Sequence, residues 1–340
     1  MIELNITPEL KIKHGNLFLG KNKKYKNRLY TKLFKLVELE KQIVQKRIFK
    51  WVLDNFEDLI LGDIKVLSLS TVLFDRYLKS IAINNRKEII EKLKIFHDEY
   101  DYFKDATEWN AYKFQRELAV TVCPYCNSQF VMIYESTEGG RTRATLDHFF
   151  DKASYPFLAV SLFNLVPSCK VCNSDLKNKK KVGIETHYSP YELGVLDNLI
   201  IKRVIVKQED LIFKIDSKED TDYVSSILGI NDDFNILFEH SSEDTYFGRK
   251  IKGNIDLFHL DKLYNEYHKG YVQDLIKKAI IYNEAYLQQL TSSNSIIFQN
   301  TEMLQTALFA SKTNDKNRIL GKLTRDVIEN ELKNGDLKNS

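Results

Sequence analysis

The chain of 340 residues lacks several things that would narrow its class at once. No apolar run approaches the roughly 20 residues that cross a bilayer. The opening "MIELNITPEL" carries Glu3 and Glu9 where a secretory leader needs an apolar core. The expected compartment is a cytoplasm, with no membrane partner. An excess of one charge is also missing: 50 Lys and Arg face 47 Asp and Glu, so no overall field announces a polyanionic partner. Any basic site must be local. There is no internal repeat or low-complexity linker. No heptad seam is long enough to argue a coiled coil, and self-association through helices is left open. The apolar share, 43%, is ordinary for a protein with a real core.

Cysteine is scarce, yet its placement is informative. Of the four, Cys123 and Cys126 lie in "CPYC" and Cys169 and Cys172 in "CKVC". A reducing compartment argues against disulfides. The Cys-x-x-Cys spacing lets two thiolates take adjacent corners of a zinc tetrahedron, about 2.3 Å from the metal. Redox dithiols, or four small core residues, would not require every cysteine to be paired in this way. Zinc held by four thiolates is a closed site, so it staples the fold and does no chemistry.

Between the pairs, "QFVMIYESTEGGRTRATLDHFF" is apolar on both sides of Gly139 and Gly140 and predicts a β-hairpin. A loop with Pro156, a short strand "NLVP" and a polar helix "CNSDLKNKKK" ending near Gly183 follow. The predicted order is strand, strand, helix, with zinc clamping the hairpin. Within it, the Asp147 carboxylate and the Asn173 amide oxygen suit magnesium, which takes hard oxygen ligands and keeps waters or a substrate phosphate. His148, whose ordinary pKa is near 6.5, is a natural base for taking a proton from water. Neighbours on a regular strand face opposite ways, so Asp147 and His148 share a site only where the strand ends or twists. Taken singly, an Asp-His pair is usually a surface or satisfied pair, and an Asn such as Asn164 usually a cap. Their order inside a zinc-clamped segment is what raises them.

In that order, residues 123–181 resemble HNH endonucleases of the ββα-metal type, in the group with a four-cysteine zinc site. The resemblance implies a β-hairpin and helix around one catalytic Mg2+ or Mn2+, and hydrolysis of a nucleic-acid phosphodiester. It implies that His148 activates water, Asp147 binds the metal and Asn164 holds the loop that positions the base. Asn173 stands where many members carry the third histidine of the motif name, as a metal ligand through its oxygen. Lys177 falls one turn further, where some members have another metal-binding histidine, and is expected to contact phosphate. Lys152, Lys170, Lys179 and Lys180 are expected to bind backbone phosphates without reading bases, although a lysine run is as readily a solvated helix face. Asp151 and Ala153 replace a proline and a serine found in similar proteins. That extra carboxylate keeps open an alternative, a zinc-supported nucleic-acid-binding module that does not cleave. DNA is the expected substrate; RNA cleavage uses the same chemistry, and no reader of the ribose hydroxyl is identifiable. Similar nucleases of bacterial anti-phage systems, of the Septu type and related retron systems, imply a partner ATPase.

Elsewhere, residues 30–60 and "RKEIIEKLKIFHDEYDYF" repeat apolar positions at three and four, predicting amphipathic helices with Ile89, Leu93, Phe96, Tyr100 and Phe103 in the core. "NLIIKRVIVK" and "DLIFKI" predict a second hairpin, with helices after it. The expected fold is α+β and predominantly helical. A zinc-stapled ββα core at 121–195 lies between a helical lobe at 1–120 and a C-terminal region at 196–340.

Overall fold

The apolar stripe of the second amphipathic segment is buried throughout: Ile89, Leu93, Phe96, Tyr100 and Phe103. A computed structural model, which describes residues 1–20, 28–136, 138, 140–178, 180–194, 196–205, 223–309 and 312–336, splits that segment into helices Ile83–Lys92 and Ile95–Asp105. At the break, Lys94 N–H donates to Glu91 O and Phe96 N–H to Leu93 O, the tighter i→i+3 spacing. The stripe carries on through it. Residues 30–60 likewise fall into helices Arg28–Leu39, Ile43–Asp54 and Phe56–Leu61. The fold is α+β and about 58% helical, with fifteen α-helices and three two-stranded sheets among the described residues. None of the described helices is long and apolar enough to cross a membrane.

The chain divides into two compact units. One takes Ile2–Tyr125 and Gln129–Leu193; the other takes Met1, Cys126–Ser128 and the chain from Gly194 onward. The helical lobe at 1–120 therefore shares a unit with most of the central segment.

In that first unit, strands β1 (Tyr134–Glu135) and β2 (Arg141–Thr142) pair across the Gly-containing turn, but each has only two residues and both are exposed. Strand β3 (Thr145–His148), which carries Asp147 and His148, pairs antiparallel with β4 (Leu165–Ser168), from Thr145↔Ser168 to His148↔Leu165. The expected partner across the glycines is thus replaced by the "NLVP" segment. Burial decides the pairing: "LVPS" is buried at every position, whereas "YE" and "RT" are not. The expected helix after the second Cys pair is also shorter. It is a π-helix, Val171–Lys177, closed by Asn178 N–H donating to Asn173 O with Asn178 at φ 46°.

The loop from 149 to 163 is held by the helical lobe. Phe157 packs its ring 4.8 Å from Phe74 and 5.7 Å from Trp51. Ser161 Oγ donates to Leu59 O, and Tyr155 O–H donates to Asp75 at 2.8 Å. His14 is buried; its Nε2–H donates to Val160 O at 2.8 Å and its Nδ1 accepts from Trp109 Nε1–H at 3.3 Å. These bonds explain why lobe and loop cluster together.

In the second unit, β5 (Leu199–Ile205) pairs antiparallel with β6 (Phe234–His240). The expected partner "DLIFKI" lies outside the described residues. Phe234, Ile236 and Phe238 are buried while Asn235, Leu237 and Glu239 are exposed, the period of two of a half-buried strand. Helix Gly321–Asp336 ties itself to β5: Arg203 makes a bidentate pair with Glu331 at 2.9 and 2.7 Å, and Lys322 Nζ donates to Leu199 O at 2.8 Å. Asn127, buried and at φ 53°, donates to Asp315 O and Arg318 O and accepts from Lys322 N–H.

Candidate metal centre and adjoining polar site

Cys123 and Cys126 sit on a turn between Val122 and Phe130, which form an isolated antiparallel bridge; Cys123 N–H donates to Gln129 O. Cys169 follows β4, and Cys172 lies in the first turn of Val171–Lys177. All four are buried, none is in a disulfide, and their Sγ atoms lie within 4.8 Å of one another. Zinc–sulfur bonds of about 2.3 Å place tetrahedral sulfurs about 3.8 Å apart, so a small contraction suffices. Cys172 N–H donates to Cys169 Sγ at 3.4 Å, which orients that sulfur from its own turn. The cluster is compatible with a zinc site.

Beside it, the end of β3 carries Asp147, which is 4% exposed. Tyr125 O–H donates to its Oδ2 at 2.6 Å; burial first, and the Asp147 charge second, hold that phenol well above its ordinary pKa. Lys177, 3% exposed, donates from Nζ to Asp147 Oδ1 at 2.8 Å and Oδ2 at 2.6 Å, and to the carbonyls of His148 at 2.7 Å and Phe149 at 3.1 Å. The expectation that Lys177 meets phosphate is corrected here: its ammonium is turned inward, because a buried carboxylate needs a compensating charge. Oxygen donors of this kind also suit a hard divalent ion. While Lys177 is seated, however, both carboxylate oxygens are taken, and a metal does not fit at Asp147.

His148 points elsewhere, as strand alternation dictates. Its ring meets Tyr100 at 4.6 Å edge to face, and its Nε2–H donates to Ala159 O at 2.9 Å. Burial first, then the Lys152 charge, hold it well below its ordinary pKa, against the Ala159 bond that raises it. The ring is neutral at pH 7, with Nε2 protonated and the lone pair on Nδ1. Asn164, fully buried, brackets the loop that carries Ala159: its Oδ1 accepts from Phe150 N–H at 2.7 Å, and its Nδ2 donates to Phe150 O and Leu158 O.

The other expected residues are spread out. Asn173 is half-buried in the π-helix. Lys152 sets its ammonium 4.4 Å from the Tyr100 ring centre, close to His148, and is half-buried. Lys170 and Lys180 are exposed, and Lys179 lies outside the described residues. Asp151 accepts from Ala153 N–H, Ser154 N–H and Ser154 O–H, so its carboxylate is used in shaping the loop. Tyr125, Tyr100 and the Ala159 carbonyl were not expected at the site. Tyr125 had a signal, its place inside "CPYC"; Tyr100 reads only as one member of a core stripe. The chain matches no protein-family model, and comparisons with curated proteins and with solved structures find no similar one.

Proposed function

We propose that this segment is an HNH-type nuclease core, stapled by one zinc, that hydrolyses phosphodiester bonds of DNA. One observation supports the reading above the others: His148 is aimed by the Ala159 carbonyl, which sits in a loop bracketed by Asn164. A base must be neutral and fixed before it can act; the carbonyl fixes the ring and burial keeps it neutral, although the same burial makes it a weaker base. Nδ1 takes a proton from water as the water oxygen bonds to phosphorus and the ester oxygen leaves. Lys152, next to the ring, is the cation best placed to meet the phosphate. The Mg2+ or Mn2+ that the resemblance implies at Asp147 and Asn173 requires Lys177 to leave Asp147. A place in anti-phage defence with a partner ATPase rests on resemblance alone.

Supercoiled plasmid incubated with the protein and its His148→Ala variant, with magnesium, manganese or chelator, tests the reading. Nicking should fall by about 100-fold or more in the variant, the usual contribution of a positioned base. Equal nicking by both would sink it. The Asp147–Lys177 contact favours a second reading, a nucleic-acid-binding module without cleavage, because it neutralises the expected metal ligand. DNA retention by both proteins with no cutting under any condition would select that one.

A further inference from the structure

The four oxygens around Lys177 Nζ are two from a carboxylate and two from main-chain carbonyls, at 2.6 to 3.1 Å. This is the donor set of a hard-cation cage. The cage is built by consecutive residues, Asp147, His148 and Phe149, so it has little freedom to open on one side only. An ammonium has three hydrogens, and all three are used here. From this geometry we infer that Lys177 is the resident cation of the site, and that it competes directly with any divalent ion for Asp147.

Three facts carry the inference. Lys177 is the last residue of the π-helix, and the chain turns away at Asn178 with a positive φ, so the side chain is delivered inward from a fixed point. The helix begins between Cys169 and Cys172, so the cysteine cluster sets where that point lies. The opposing wall is equally fixed, since Tyr125 bonds the same carboxylate from within the first Cys pair. A tethered cation at such an effective concentration outcompetes a free one unless the ion gains more from Asp147 than Lys177 does. The divalent ion of the nuclease reading therefore enters only as Lys177 withdraws. The inference rests on that reading for the reason a divalent ion is sought at Asp147. The experiment is run without nucleic acid, so its failure is separable from a failure to cleave.

Manganese binding is measured by electron paramagnetic resonance on the full chain, on Lys177→Met and on the double variant Asp147→Asn/Lys177→Met. Lys177→Met should bind Mn2+ at least tenfold more tightly than the parent, and the gain should vanish in the double variant. Asp147-dependent binding of equal strength in parent and Lys177→Met overturns the inference, and so does no such binding in a folded Lys177→Met. If Lys177→Met does not fold, amine labelling read by mass spectrometry decides the matter on the near-isosteric Asp147→Asn alone. Labelling of Lys177 should rise at least fivefold over the parent when the carboxylate is lost; unchanged labelling overturns the inference.

Discussion

Two clusters lie at the two ends of one short helix, and they are built on opposite rules. At the start of Val171–Lys177, four like donors converge. At its end, an anion and a cation of the same chain meet. Four convergent thiols are compatible with an added positive centre such as zinc, whereas the Asp147–Lys177 pair already contains its own. The lesson is that the need for a metal is read from the signs of the groups gathered, not from the presence of good ligands.

The contrast can be broken most severely at the thiols. Structural zinc contributes about 10 kcal/mol or more to folding in small zinc modules. Chelation, or Cys172→Ala, should therefore abolish the cooperative thermal transition of the unit formed by Ile2–Tyr125 and Gln129–Leu193, followed by circular dichroism; a melting curve indifferent to chelator would remove zinc from the account. The Asp147–Lys177 pair should give a smaller effect. Removing either charge alone should cost about 3 to 5 kcal/mol by urea denaturation, because its partner is left buried and uncompensated. Asp147→Asn with Lys177→Met together should cost less than the two added, and strict additivity would mean the charges do not depend on each other.

The smallest effect is set by pH and acts on the frame around His148. Burial lowers His14 to about 4, against an ordinary 6.5. The folded state therefore binds this proton less readily than the unfolded chain. Stability is full above about pH 6.5 and falls as the pH drops toward 4, by about 3 kcal/mol in all. Ring nitrogen shifts followed by NMR should show His14 neutral at pH 5; a titration near 6.5 would contradict its burial against Val160.

The four cysteines were legible because metal spacing is a local property, carried by residues three apart. What could not be read depends on distant partners. Lysine is solvated almost everywhere, so only the placement of Asp147 at the buried end of β3 turns Lys177 inward. The glycines announce a turn that would pair β3 across it, yet the buried face of "LVPS" outweighs it and takes the place beside β3. Tyr100 carries no sign in its own helix that His148 stands beside it.

The grip of the helical lobe on the loop has a consequence in time. His14 and Val160 are 146 positions apart, Leu59 and Ser161 are 102 apart, and Asp75 and Tyr155 are 80 apart. Contacts of such range close slowly, since the chain entropy of a large loop is lost before any contact rewards it. During synthesis the amino-terminal helices emerge first and wait for their partners. A nascent chain halted just before residue 160 already holds His148 and the Ala159 carbonyl, but neither Asn164 to bracket their loop nor the clamps from Leu59 and His14.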